Sequence, residues 1–273
     1  MSKFEVDSDG FQIVKSKHSF KKPSKLPDKS LDDEKLYNIN KEKLIKQIEV
    51  AVDCMKGSEY FEDAIKSVST VVLDKPVAEI ICLGLGHIYA CNVSKNQLAF
   101  LLCLRDFCKP KRVLVHDPIF FKTECEVLQH FGLEVIPENN EGNYIISEND
   151  YTIAYLPHCP KQLTNNFLWA NWDLKLQNCM IICNSFSSLI ENNPSRLLLE
   201  TVPYLHKIYP FTSEIVLQNN YTLSNVFNDT SIHYFPKEKL VTIPAEFWQK
   251  GSKPHYNNTE EFITSLMVEK LNI

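Results

Sequence analysis

Residues 78–87 read Ala78-Glu79-Ile80-Ile81-Cys82-Leu83-Gly84-Leu85-Gly86-His87, and the fold follows from this stretch. A short, nearly unbroken apolar run that stops at a glycine describes a strand buried on both faces and turning sharply into the next element. The whole chain has seven glycines, so two of them within three residues are informative. They permit a tight turn and close approach of the backbone to a phosphate or carboxylate; the bland reading is a turn that packs helix on sheet. As a dinucleotide fingerprint the pattern is incomplete. Tyr89 stands at the third glycine position, and the acidic candidate Asp117 lies well beyond the roughly 20 residues expected.

Outward from this strand the chain alternates. An apolar helical stretch runs from Val93 to Phe107, and Val113 to Val115 is the next strand. Thr123 and Glu126 have capping-box spacing at the head of a helix that Gly132 terminates. Further strands are expected at Leu133 to Ile136, Thr152 to Leu156, Met180 to Cys183 and, late in the chain, Ile232 to Phe235. Helices are expected near Gln162 to Trp172 and after Pro194, the latter split by Pro203. Apolar strand runs alternating with helices predict an α/β fold with a mostly parallel sheet covered on both faces.

Before this unit, Leu44, Ile45, Ile48, Val52 and Met55 recur at helical spacing after Asn40 as N-cap, with Gly57 suited to a left-handed C-terminal residue. A second helix carries Phe61, Ala64, Ile65 and Val68 on one face. The expected organisation is a flexible basic arm over residues 1–39, N-terminal helices over 40–75, the α/β domain over 76–250 and a C-terminal helix over 251–273. The arm rests on six lysines and two prolines between Lys15 and Lys29. The last helix rests on Phe262, Leu266 and Leu271.

Composition narrows the function classes. Lys and Arg total 29 against 34 Asp and Glu, a formal charge of -5, which argues against duplex nucleic acid as a partner. No apolar run is long enough to span a membrane, and the N-terminus lacks the apolar core of a signal peptide, so a cytoplasmic protein, with a nuclear pool as the alternative, is expected. The nine cysteines form no CxxC pair or finger-like spacing, and most read as reduced, buried residues. No metal site is expected. Phosphate-loop, HExxH and GxSxG signatures are absent.

In open parallel sheets ligands bind outside the carboxyl ends of the strands. The unusual residues of this chain sit there: Gly84, Gly86 and His87 after the first strand, Asp117 and Pro118 after the second, Pro157, His158, Cys159 and Pro160 after the fourth, Asn184 and Ser185 after the fifth. Gly84, Gly86, His87, Asp117, His158, Cys159, Asn184 and Ser185 are therefore the ligand-binding candidates, expected around one crevice. Each has a plainer reading. Asp117 either accepts hydrogen bonds from a ribose or caps the turn at Pro118. Cys159 is a thiolate, a soft ligand or a buried thiol. His87 and His158 either bind or simply hydrogen-bond. Asn184 and Ser185 contact a ligand or cap the next helix. Trp169, Trp172 and Phe167 read as core.

Taken together, IICLGLGH, NQLAFLL, VHDPIF, YLPHCPKQL, ANW, CNSF and FNDTSIHYFP, in this order between Ile80 and Pro236, resemble the Sensitivity-to-Red-light-Reduced family, the SRR-like domain proteins. DGFQIVKSK near the start is a weaker echo. The resemblance implies a Rossmann-like domain and an intracellular regulator linked to circadian clock input and to regulation of haem biosynthesis. It brings no established reaction. The family pattern covers Gln97, Asn171, Trp172, Phe186, Asn228 and Asp229 besides the loop residues above. Asn96 and Cys183 depart from it: an aromatic residue and a glycine are usual at these positions.

Three functions compete. The first is a regulator acting through protein partners, gated by a small molecule. The second is a transferase using a nucleotide-type cofactor such as S-adenosylmethionine, with His158 or Asp117 as acid or base. The third is a haem or metal binder using His87, His158 and Cys159. The residues themselves leave the cofactor unassigned.

Overall fold

A computed structural model describes residues 39–73 and 75–256. The expected basic arm, all but its last residue, and the apolar positions of the expected C-terminal helix lie outside the described residues.

Helix α1 (Lys41–Lys56) starts where the Asn40 side chain accepts the Lys43 N–H at 2.8 Å. Gly57 does not adopt the expected left-handed conformation; its φ is -92°. The reason is local: Ser58 at once caps α2 (Glu59–Val72), its hydroxyl accepting the Phe61 N–H at 3.2 Å, and the chain has no room for a longer turn. Both helices pack apolar faces on α3 (Asn92–Cys108), which follows β1 (Val77–Leu83). Because α3 lies between these helices and the sheet, Leu98 to Leu104 are buried all round, as a core helix requires.

The chain continues through β2 (Arg112–His116), α4 (Lys122–His130), β3 (Glu134–Val135), β4 (Tyr151–Leu156), α5 (Lys161–Ala170) and β5 (Cys179–Asn184). Short helices α6 (Phe186–Glu191), α7 (Ser195–Thr201) and α8 (Pro203–Ile208) lead to β6 (Ser213–Val216), β7 (Thr230–Tyr234) and α9 (Lys237–Leu240). Pro203 separates α7 from α8 as its missing N–H demands.

The seven strands lie in the order β3-β2-β1-β4-β5-β7-β6. Strands β1 to β5 pair in parallel, while β7 runs antiparallel to both β5 and β6. Alternation along β1 divides the core. Ile80 and Cys82 face the layer containing α1 to α4, and Ile81 and Leu83 face the layer of α5 and the later helices. This is the expected Rossmann-like α/β architecture with helices on both faces.

Three local expectations need correction. Strand β3 shrinks to two residues, because at the sheet edge only its pairing with β2 holds it. Strand β6 has no apolar run to announce it, since an edge strand need bury little. At α4 the cap is made by Glu124, fully buried, whose carboxylate accepts the Phe121 N–H at 2.9 Å. The helix starts two residues earlier than the sequence suggested, so Glu126 turns outward and pairs with Lys41 at 3.0 Å.

Phe100 of α3 joins α2 to the sheet. Its ring lies 5.9 Å from Tyr60, 6.0 Å from Phe61, 5.5 Å from Tyr155 and 5.5 Å from Phe227. Phe100→Ala should cost about 3–5 kcal/mol, through lost burial and the cavity left among four rings. Urea denaturation followed by circular dichroism measures it.

Candidate functional site

The chain leaves β1 toward β2 on one side and returns to β4 on the other, so the loops after β1 and β4 diverge at a topological switch point. A cavity of about 300 Å³ opens there, lined by Gly84 to Gly86, His116 to Ile119, Glu141 and Gly142, Pro157 to Pro160, and Ser94 and Gln97 of α3. Gly84, Gly86, Asp117, His158 and Cys159 thus come together.

Gly84 has φ +72°, and a Cβ at this position would sit 2.5 Å from the Cys159 Sγ. Its role is therefore close packing of two loops: the absent side chain leaves the space that the sulfur fills. The Cys159 thiol donates to the Leu83 carbonyl at 3.0 Å. Burial pushes this thiol well above its ordinary pKa, so it stays protonated and does not present a thiolate.

Asp117 ties the loops after β1 and β2. Its Oδ2 accepts the Gly86 N–H at 2.7 Å and its Oδ1 the Ile119 N–H at 3.0 Å. Burial raises its carboxyl pKa, against the opposite pull of these two donors. Each oxygen retains a lone pair that can face a ligand, so capping and ligand contact are compatible.

His158 holds a left-handed φ of +50°, uncommon for a residue with a Cβ. Its Nε2 donates to the Asn228 carbonyl at 3.1 Å and its Nδ1 accepts from the Gln97 amide at 3.2 Å. The same amide donates to the Val226 carbonyl at 3.1 Å. Gln97, buried inside α3, is thus the residue that fixes the histidine, although residue type alone did not mark it as a site member.

The other candidates lie elsewhere. His87 turns toward α4, its Nδ1 2.9 Å from the Glu124 carboxylate and its ring stacked on Phe121 at 4.3 Å. Asn184 and Ser185 line a second cavity of about 190 Å³, which shares Cys159 with the first. Ser185 caps α6 through Ser188 and donates to Glu214 Oε1 at 2.6 Å. Glu214 also accepts the Ser187 N–H at 3.0 Å and lies 3.5 Å from the fully buried His233 ring. Burial alone would raise the Glu214 carboxyl, but the contacts with His233, Ser185 and Ser187 outweigh it and hold the group far below the usual range. Neither Glu214 nor His233 was marked in the sequence; an edge-strand glutamate without a motif gives no signal.

A shared haem or metal set does not form. His87 faces away, both nitrogens of His158 are engaged and Cys159 is a buried thiol. Among the described residues no three His, Cys, Asp or Glu side chains gather to hold a metal ion.

The chain is similar to known proteins over the region that builds this site. The sequence model of the SRR1 domain matches residues 60–234. An SRR1-like protein of Drosophila melanogaster is 32% identical over 231 residues, 83% of this chain and 81% of the relative. An SRR1-like protein of Mus musculus is 40% identical over 131 residues, covering 47% of this chain and 52% of the relative. Protein SENSITIVITY TO RED LIGHT REDUCED 1 of Arabidopsis thaliana is 28% identical over 111 residues, 40% of each chain.

Asp117→Ala should cost about 2–4 kcal/mol, because it strips the acceptor from two backbone N–H groups at once, and Asp117→Asn, which keeps one acceptor oxygen, should fall between. Equilibrium urea denaturation of both variants checks this order. For Glu214 the sign is opposite to that of a raised group. Its folded pKa lies below the ordinary 4.5, so its contribution is present above that pH and lost as pH falls through the acid range. Glu214→Gln should lower stability at pH 7 and flatten the acid limb of the stability curve, as read by denaturant midpoints between pH 7 and pH 3.

Proposed function

Because the chain belongs to the SRR1 domain family, we propose that it is an intracellular regulatory protein whose switch-point crevice binds a small nucleoside-type ligand that gates its contacts with protein partners. Family membership supports the regulatory part. The name of the Arabidopsis relative supports extending it to light and clock input; regulation of haem biosynthesis and a place in the cytoplasm and nucleus follow the motif resemblance alone.

One observation carries the ligand part: three strand-end loops converge on a preformed cavity at the switch point, with the Asp117 carboxylate on its wall. About 300 Å³ is the low end for ligand sites, which suits a nucleoside better than a dinucleotide. The transferase reading would place S-adenosylmethionine in the same crevice. It also needs a side chain free to move a proton on a second substrate. His158 and Asp117 both bond the protein itself, which favours sensing over turnover.

Thermal melts of the full chain with adenosine, S-adenosylmethionine, NAD and ATP test the reading. The first two should raise Tm, by about 5–10 °C at a hundredfold excess over Kd. Val93→Trp, which places a large ring in the crevice at the start of α3, should lose the shift. If no compound shifts the wild-type melt, the ligand part of the reading falls.

A further inference from the structure

In parallel sheets of this kind a nucleotide phosphate sits at the turn after the first strand, held by backbone N–H groups of the glycine loop and the start of the next helix. Here that turn has already given its donors to the protein. The Gly84 N–H goes to the His116 carbonyl at 3.0 Å, the Gly86 N–H to Asp117 Oδ2 at 2.7 Å and the Tyr89 N–H to Glu124 Oε1 at 2.9 Å. Two of these three acceptors are carboxylates. A phosphate reaching for Gly86 would have to displace the Asp117 carboxylate or lie against it, like charge beside like.

The rest of the wall does not reverse this. It contains no Lys or Arg, and its other carboxylate, Glu141, is already paired with Lys253 at 2.6 Å. Asp117 has two backbone N–H groups as partners and no Lys or Arg among the described residues. His158 accepts from Gln97 at Nδ1 and donates to the Asn228 carbonyl at Nε2, the bonding of a neutral ring. His116 Nδ1 donates to the Ile136 carbonyl at 2.8 Å, and its buried Nε2 has no acceptor to hold a second proton. The positive ends of α3 and α5 favour an anion at this edge by about half a charge each. Against them Asp117 sets a full negative charge within the wall itself, and Gly84, Gly86 and Tyr89 offer a phosphate no hydrogen bond.

Resting on the reading of the crevice as a nucleoside site, we propose that it is specific for nucleosides without a phosphate: the Asp117 carboxylate stands where the phosphate of a nucleotide would, and a cationic substituent at the 5′ carbon, an ammonium or a sulfonium, pairs with it. Asp117 is then the residue that sets ligand charge. Size alone would not impose this choice, since a nucleoside monophosphate exceeds its nucleoside by one small group. A phosphate brought beside a buried carboxylate must leave water without gaining a partner, whereas a cation gains one.

Isothermal titration of the full chain with adenosine, 5′-amino-5′-deoxyadenosine and adenosine 5′-monophosphate tests this at neutral pH, where the amine is cationic and the phosphate anionic. The three share ring and ribose. The amine should bind at least as tightly as adenosine, and the monophosphate at least about tenfold more weakly than either. Asp117→Asn, which keeps an acceptor for the Gly86 N–H and removes the charge, should bring all three within a few-fold of one another. A monophosphate that binds wild type as tightly as adenosine overturns the charge assignment while the nucleoside reading stands, as does a tenfold gap that persists in Asp117→Asn. If none of the three binds, both fall. Should Asp117→Asn fail to fold, the order of affinities in wild type still decides.

Discussion

The site depends on one close approach. The loops after β1 and β4 meet where the Cys159 sulfur occupies the space beside Gly84 that any side chain would fill. That contact can form only with a glycine on one side and a small buried group on the other, and it fixes how far apart the two halves of the switch point stand. The crevice is what remains between the loops once this point of contact is set. Asp117 then fastens the β2 loop to the same junction through the Gly86 N–H.

Backbone strain concentrates around this junction. Five residues other than glycine hold a positive φ among those described, and Glu141, His158 and Asp229 lie at the crevice or its neighbouring cavity. Such conformations persist only when their surroundings over-determine them. Each is held here. The Glu141 carbonyl accepts from Asn166, the His158 ring spans Gln97 and Asn228, and the Asp229 carbonyl accepts the Ser185 N–H at 2.8 Å. The last bond couples the turn before β7 to the start of α6, so the two cavities are parts of one framework.

That framework suits recognition more than proton transfer. Most polar groups in the crevice bond one another, and burial keeps Cys159 protonated. A ligand filling the cavity would contact the loops after β1, β2 and β4 together, and through His158 the turn at Asn228. A small molecule can in this way bias the surface that partners meet, provided it binds one arrangement of these loops better than another.

The strands of the parallel core, the helix buried on all sides and the strand-end position of Asp117 and His158 were legible in the sequence, because they depend on local apolar runs, glycine turns and period. The order of motifs pointed to the family for the same reason: each motif is a short contiguous stretch. Other features depend on residues far apart in the chain. His87 could not be assigned to Glu124, 37 residues away, nor Ser185 to Glu214, 29 residues away, without the packing that brings α4 and β6 beside them. Nor could His116, next to a residue already singled out, be seen as a half-satisfied ring until the chain crossing to β3 supplied the Ile136 carbonyl. Sequence pattern records which residues are apolar and where the backbone turns. Which polar atoms are paired, and which are left without a partner, is decided only when the elements dock, because hydrogen bonds are satisfied by distance and angle between groups that the chain order keeps apart.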